Sequence, residues 1–282
     1  MLSVSSPPVQ AFFLDTSNGQ RFCLFHPVGE GVKCCGAVLY VAPFGEEMNK
    51  SRRMLALLAR NLTQQGIAVL SLDLYGCGDS DGEFKDASWK QWKNDLDAAY
   101  SWLREHCKAP ISLLGLRLGG LLALDFTRDG RHEVKQLILW QPVLNGKQFL
   151  TQFFRLKIAN DILSDGNEQR SNTETIRQHL SDGEIVEIAG YEISSKLSTG
   201  IDGLNAVEFP PSNIPLHWFE IQADILAALA PAKQKIIDYW HQHQVQIVLK
   251  QIAGVDFWMT QEISICEELV EHTAALLTRS SQ

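Results

Sequence analysis

Short, continuous apolar runs recur along the chain and alternate with amphipathic segments. Such runs are typical of strands that are covered on both faces of a sheet. They occupy Gly36–Val41, Ala68–Leu72, Ile111–Leu114, Gln136–Trp140, Leu216–Ile221 and Val245–Ile252. Between them, the spacing of apolar residues predicts helices that end near residues 65, 106, 128 and 243, and a last helix over Ile263–Thr278. This strand–helix order predicts a mostly parallel sheet with helices on both faces.

The amino-terminal part departs from this order. Ala11–Asp15 and Arg21–His26 alternate apolar and polar residues. The intervening Ser17-Asn18-Gly19 is a strong turn sequence, and the three stretches together predict an antiparallel hairpin.

A second departure begins after the fourth apolar run. Helical periodicity covers Phe149–Leu163 and Thr175–Leu180, and Val186–Tyr191 has the composition of a strand. We expect residues 145–211 to form a helical cap insertion over the carboxyl edge of the sheet. Residues 1–144 and 212–282 then form one α/β core.

Composition narrows the possible partners. The 282 residues carry a formal net charge of −8, which disfavours nucleic acids and anionic membranes as partners. No apolar run reaches the roughly 18–20 residues of a membrane span. Met1–Pro8 lacks the basic and apolar regions of a signal peptide, so a cytoplasmic location is expected. The six cysteines lack Cys-x-x-Cys spacing and are interpreted as free thiols.

The strand at Ile111–Leu114 leads into the most informative stretch of the chain, Gly115-Leu116-Arg117-Leu118-Gly119. A strand, a glycine-flanked turn and a helix in this order are the layout of a nucleophile elbow. The central position holds Arg117, and an arginine stays protonated and cannot attack a carbonyl. The sequence therefore has the frame of an acyl-transfer site without its nucleophile.

The layout resembles the α/β-hydrolase superfamily over essentially the whole chain. Besides the elbow, Asp73-Leu74-Tyr75-Gly76-Cys77-Gly78-Asp79-Ser80 is similar to a second landmark loop of that superfamily. More narrowly, the stretches 42–53, 115–119 and 257–263 resemble the exosortase A system-associated hydrolase 2 family. That resemblance implies the α/β-hydrolase fold and a genomic setting of protein sorting and exopolysaccharide production, with an exosortase-system partner. It implies no established substrate.

A serine hydrolase of this fold also needs a late carboxylate and a histidine after the last strand. Asp224, after Leu216–Ile221, stands where the carboxylate is expected. The loop Ala253–Met259, where the histidine is expected, contains no histidine, and Asp256 occupies or adjoins that position. The sequence therefore excludes Ser–His–Asp chemistry. We expect Arg117 and Asp256 to approach within ion-pair distance, of order 4 Å.

Two interpretations of Arg117 remain open. In the first it points into a pocket as an anion receptor, at a helix amino terminus where free N–H groups already favour negative charge. The backbone N–H of Leu118, with that of Phe44 or Gly45, then occupies the oxyanion-hole positions. In the second it is neutralised internally by an acid, because a buried cation there needs a partner. The candidate acids are Asp256, Glu46, Glu47 and Asp79.

Two functions follow as hypotheses. One is a hydrolase of altered chemistry on an anionic or acyl substrate, with Arg117 binding the charge and Glu46, Glu47 or Asp256 acting as general base for a water. The other is a non-catalytic protein that binds a small anionic ligand or serves the sorting system. No cofactor is predicted, and no metal either, because no histidine or cysteine ligand spacing accompanies Glu46 and Glu47.

Overall fold

A computed structural model describes residues 7–164 and 172–279, with side chains for 7–159 and 172–279. Most of Met1–Pro8, on which the expected cytoplasmic location depends, lies outside the described residues. The strands are β1 (Gln10–Thr16), β2 (Gly19–His26), β3 (Gly36–Val41), β4 (Ile67–Leu72), β5 (Ile111–Leu116), β6 (Val134–Trp140), β7 (Val186–Ile188), β8 (Tyr191–Ile193), β9 (Leu216–Gln222) and β10 (Ile247–Ala253). The helices are α1 (Glu46–Gln64), α2 (Trp89–Cys107), α3 (Leu118–Thr127), α4 (Gly146–Ser164), α5 (Thr173–Ser181), α6 (Ser195–Asp202), α7 (Pro231–Gln242) and α8 (Glu267–Arg279).

Eight of the described strands form one sheet in the order β1-β2-β4-β3-β5-β6-β9-β10. The predicted hairpin β1–β2 is antiparallel and joins β4 in antiparallel fashion, and the remaining neighbours are parallel. Side chains of β3 alternate between two apolar clusters, one packed against α2 and α3 and the other against α1 and α8. This confirms the predicted α/β-hydrolase fold class.

Strand register brings several loops to one edge of the sheet. Val41 at the end of β3 pairs with Gly115 of β5, and Leu116 pairs with Trp140 at the end of β6. Because parallel strands end at the same edge, the turns that follow β3, β5 and β10 meet there.

Residues between β6 and β9 form α4, α5, α6 and a separate two-stranded sheet. The prediction of one strand over Val186–Tyr191 was wrong, because β7 and β8 form an antiparallel hairpin in which Ile188 pairs with Tyr191. The turn between them has positive φ at Ala189 (51°) and Gly190 (84°). Two consecutive residues of this kind fold the chain back as a tight hairpin turn.

The last helix is shorter than predicted, since α8 begins at Glu267 rather than Ile263. The Thr260 hydroxyl donates to the Glu262 carbonyl at 2.7 Å. The Cys266 N–H donates to the Met54 sulfur on α1 at 3.2 Å. These contacts hold residues 260–266 in an irregular path against α1, where helical periodicity alone could not place them.

Candidate functional site

The turn between β5 and α3 has elbow geometry. Arg117 has φ 53° and ψ −119°, a backbone conformation that side chains other than glycine rarely adopt. Its N–H donates to the Trp140 carbonyl at 3.0 Å, and its carbonyl accepts from the N–H groups of Gly120 and Val143, each at 3.0 Å. The neighbouring strand and helix thus hold the strained turn, and Arg117 stands in the position that an elbow gives its central residue.

Gly119 is required by the close approach of α3 to the end of β3. A Cβ atom at this position would lie 2.2 Å from the Val41 carbonyl oxygen and 2.4 Å from that of Ala42. Both obstacles are backbone atoms, which cannot move aside as a flexible side chain would. The glycine after the elbow therefore fixes how closely strand and helix pack.

The predicted oxyanion-hole residues lie together at the starts of two helices. Gly45, with φ 57°, is the residue before α1, and Leu118 is the first residue of α3. Phe44, Gly45 and Leu118 line a space of only about 10 Å³, with Phe44 and Leu118 almost fully buried. First-turn N–H groups have no acceptor within their own helix, so both helices present positive ends here.

Arg117 forms its ion pair with Glu47, at 3.3 Å between Nε and Oε1. The expected ion pair with Asp256 was wrong: Asp256 is exposed, and the first turn of α1 supplies the carboxylate instead. The guanidinium carbon also lies 5.4 Å from the centroid of the Trp258 ring, within cation–π range. Within the described residues, the two terminal amino groups of Arg117 have no acceptor.

Glu47 also has an unpaired polar atom. Its Oε2 is buried and has no hydrogen-bond partner among the described residues. Burial raises the pKa of Glu47, the charge and hydrogen bond of Arg117 oppose that rise, and the negative charge of Asp256 adds to it. The indole Nε1 of Trp258 is likewise buried without a described partner. Two residues in contact with Arg117 therefore each have a buried polar atom without a described partner, which is unusual in a folded interior.

Arg117, Glu47 and Trp258 line a pocket of about 260 Å³. This volume lies just below the range of roughly 300–1,000 Å³ typical of small-molecule sites. Apolar side chains dominate its wall, with polar groups near the elbow. The other lining residues are Phe44, Glu46, Lys50, Phe149, Gln152, Phe153, Leu156, Ala189, Tyr191 and Met259.

Lys50 belongs to this wall. Its ammonium donates to the backbone carbonyl of Thr260 at 2.5 Å and to that of Gln261 at 3.5 Å. Lys50 therefore ties α1 to the loop that carries Trp258. The sequence around Lys50 does not predict this contact, since no local pattern shows that the loop after β10 folds back onto α1.

Glu46 lies at the outer edge of the pocket. It is exposed, and its Oε2 accepts from the Asn49 side chain at 3.0 Å. Burial, together with the nearby charge of Glu46, raises the pKa of Tyr191 to about 12. Glu46 thus faces Tyr191 and Asn49, whereas Glu47 faces the elbow.

Two other candidate acids are occupied elsewhere. Asp224 is exposed, its Oδ1 accepts from the Leu226 N–H at 2.9 Å, and it does not line the pocket. The Asp79 N–H donates to Asp73 at 3.2 Å, so Asp79 belongs to the landmark loop rather than to an Arg117 cluster. Asp73 itself is buried and pairs with Arg52 at 3.1 Å, as a turn-shaping residue would.

Sequence reasoning missed the contribution of α4 to the pocket. Phe149 and Phe153 lie one turn apart on α4, and both stack edge-on against Phe44, at centroid distances of 5.4 and 5.1 Å. Their spacing in the sequence indicated only an amphipathic face. Which surface that face covers became visible only with the tertiary structure.

Residues 36–181 match the family model described as serine aminopeptidase, S33. The match spans more than half of the 282 residues and includes the elbow. No curated protein matches the sequence.

Among the described helices, none is both long and apolar enough to cross a bilayer. The described side chains also contain no group of three or more His, Cys, Asp or Glu residues suited to a metal ion.

Solved structures resemble nearly the whole chain at low sequence identity. Est1E from Butyrivibrio proteoclasticus with ferulic acid bound is 16% identical, with a TM-score of 0.69 and 96% of this chain and 99% of that chain covered. A soluble variant of monoglyceride lipase from Saccharomyces cerevisiae, in complex with a substrate analog, is 16% identical, with a TM-score of 0.68 and coverage of 99% and 97%. A highly thermostable carboxyl esterase from Bacillus coagulans, in complex with glycerol, is 14% identical, with a TM-score of 0.68 and coverage of 98% and 100%. These likenesses support the α/β-hydrolase fold.

Proposed function

The chain belongs to the serine aminopeptidase, S33, family, and from that premise we propose that its pocket binds a small ligand with an acidic head group and an acyl or aryl body. We propose further that the serine mechanism has been lost. The observation that carries the proposal is the guanidinium of Arg117, which stands at the nucleophile position of the elbow with its two terminal amino groups free of described acceptors.

The chemistry of Arg117 supports an acid as the ligand. A guanidinium cannot act as a nucleophile, but its terminal amino groups form a planar fork that matches the two oxygens of a carboxylate. The positive ends of α1 and α3 add to the attraction. The aromatic wall formed by Phe44, Phe149 and Phe153 would cover an apolar body, and the pocket volume favours a small one.

The absence of a histidine between Ala253 and Met259 supports the loss of the serine mechanism. Without a histidine in that loop, no base stands where this fold would need one to activate a serine in the usual way. The neighbouring structures add chemical context. Est1E was solved with ferulic acid, a carboxylic acid that carries an aryl group, and the carboxyl esterase with glycerol.

We also propose the setting that the sequence resemblance implies. The protein would serve an exosortase and exopolysaccharide system, and its ligand would be an acid handled by that system. Residues 145–211 would act as the cap, because α4 supplies Phe149 and Phe153 to the pocket. A cytoplasmic location stays a prediction from the sequence.

The test is binding of two carboxylates, ferulate and octanoate, measured by calorimetry and by ligand-induced shifts of the melting temperature. We expect Arg117→Ala to weaken binding about 10- to 100-fold, since a hydrogen bond to a charged group contributes roughly 1.5–3 kcal/mol. Arg128→Ala is the matched control, because Arg128 is an exposed arginine directly after α3, the helix that Arg117 precedes. Equal affinity of wild type and Arg117→Ala for both carboxylates would show that Arg117 does not bind the ligand.

A second function, hydrolysis without a serine, is favoured by one observation. Glu47 has a free buried oxygen and a raised pKa, as a general base for a water requires. In this case Arg117 would bind the developing negative charge. Turnover of octanoate esters that is lost in Glu47→Gln, without labelling by a fluorophosphonate probe, would favour this function. Binding with no turnover would favour the first.

A further inference from the structure

We propose that Glu47 is protonated when the ligand is bound and that its Oε2 donates this proton in a hydrogen bond to the acidic head group held by Arg117. Binding of an acid would then take up one proton from solution. This inference rests on the proposed function, because it requires that the pocket takes an acid. It adds a second specificity residue and a pH dependence.

The hydrogen bonds of the two side chains indicate where the ligand would bind. The Nε–H of Arg117 donates to Oε1 of Glu47, which leaves the terminal amino groups of Arg117 and Oε2 of Glu47 without described partners. Both side chains line the same pocket. A carboxylate bound to the guanidinium fork would therefore lie beside the carboxyl group of Glu47, whose Oε2 has no other described partner.

Two ionised carboxylates cannot satisfy each other. An ionised carboxylate only accepts hydrogen bonds, so an acceptor would face an acceptor and two negative charges would share one buried site. Such pairs hold one proton between them, because the like charge raises the pKa of one member. A protonated Glu47 turns this repulsion into a hydrogen bond from Oε2 to the ligand.

The surrounding charges favour protonation of Glu47 over neutralisation of the second carboxylate by another cation. Glu46, on the same helix, faces Asn49 and Tyr191, and the ammonium of Lys50 is held by the carbonyls of Thr260 and Gln261. Asp256, from the loop after β10, adds further negative charge. Among the described residues, Arg117, in the turn before α3, is the cation in contact with Glu47, and one guanidinium cannot neutralise two carboxylates.

The free protein is already biased toward this state, since burial raises the pKa of Glu47 before any ligand binds. A bound carboxylate raises it further. Between the pKa of the free state and that of the bound state, affinity falls as pH rises, by up to about tenfold per pH unit. Above the bound-state pKa the affinity becomes independent of pH.

The experiment is calorimetric titration with octanoate from about pH 5 to about pH 9, in pairs of buffers that differ in ionisation enthalpy. The buffer dependence gives the number of protons taken up. We expect about one proton for wild type and none for Glu47→Gln, whose amide donates permanently. Glu46→Gln is the matched control and should retain the proton uptake. Octanamide, a neutral probe, should bind without any.

Binding of octanoate by wild type without proton uptake overturns the inference and leaves the proposed function intact. The same holds if Glu47→Gln takes up a proton as wild type does. If neither octanoate nor ferulate binds to wild type or to Glu47→Gln at any pH, the proposed function fails and the inference fails with it.

Discussion

Two arginine–carboxylate pairs of this fold differ in how many of their polar atoms have partners. In the pair Arg21–Asp95, the Nε–H of Arg21 donates to Asp95 at 2.8 Å, and its terminal amino groups donate to the carbonyls of Gln20 and Asn18 at 3.1 and 3.0 Å. The second oxygen of Asp95 accepts from the Tyr75 N–H at 2.8 Å. The two side chains are 0% and 2% exposed. Nothing in this pair is left for a ligand.

The Arg117–Glu47 pair at the elbow also joins an arginine to a carboxylate, but only part of its hydrogen-bonding capacity is used. Arg117 and Glu47 share one hydrogen bond of 3.3 Å, each side chain is 18% exposed, and the remaining polar atoms of both lack described partners. A saturated buried pair is the arrangement expected of a structural element, since every desolvated group is compensated. A half-satisfied pair in a pocket is the arrangement expected of a binding site. The difference lies in the unpaired atoms rather than in the residue types.

Breaking the saturated pair should have the largest effect on stability. Arg21→Met leaves Asp95 buried with the Tyr75 N–H as its main remaining donor, and we expect a loss of about 3–5 kcal/mol in the free energy of unfolding. Denaturation by urea measures it.

Arg131→Met is the control for that experiment, because the pair Arg131–Asp129 is largely exposed. We expect it to cost less than about 1 kcal/mol. Equal losses in the two variants would contradict the claim that saturation and burial distinguish the pairs.

The elbow pair should contribute little to stability. Arg117→Gly removes a side chain from a backbone conformation with φ 53°, which offsets the loss of the ion pair, and Glu47 can take up a proton instead of a partner. We expect the free energy of unfolding to stay within about 1 kcal/mol of wild type, because strain of this kind is worth roughly 1–3 kcal/mol.

Comparison with Arg117→Ala separates the two contributions. Alanine loses the same ion pair but keeps the strained φ, so Arg117→Ala should be the less stable variant in thermal and urea denaturation. An alanine variant more stable than the glycine variant would show that the elbow is not strained.

The smallest effect is expected at Asp224, which the sequence placed among the candidate acids. It is exposed and holds only the local turn to Leu226. Asp224→Asn should change stability by less than about 0.5 kcal/mol and leave octanoate affinity unchanged. A loss of binding in this variant would mean that the loop after β9 reaches the pocket.

Much of the fold was predictable because it depends on local pattern. Continuous apolar runs identified the parallel strands, and Gly115 with Gly119 identified the elbow, since only a residue without Cβ fits where α3 meets the carbonyls of Val41 and Ala42. The single strand predicted at Val186–Tyr191 was wrong because a two-residue turn at Ala189–Gly190 divides the segment. Local patterns predict strands and helices well, but they predict less well a short turn that divides one such segment into two strands.

The partner of Arg117 could not be predicted in this way. Asp256 was chosen because it lies where the fold places a histidine, but the loop between β10 and α8 directs Phe257 and Trp258 into the core and leaves Asp256 exposed. Glu47 takes its place because α1 begins beside the elbow and brings its first turn against Arg117.

The sequence by itself determined the alternation of strands and helices, the glycine-flanked elbow and the absence of a histidine from the loop Ala253–Met259. These are properties of residue type and spacing along the chain. Only the tertiary structure decided that Arg117 meets Glu47, that Trp258 and Lys50 line the site, and that α4 adds Phe149 and Phe153 to its aromatic wall. Each of these contacts joins segments distant in sequence, and its geometry depends on how loops turn and helices pack.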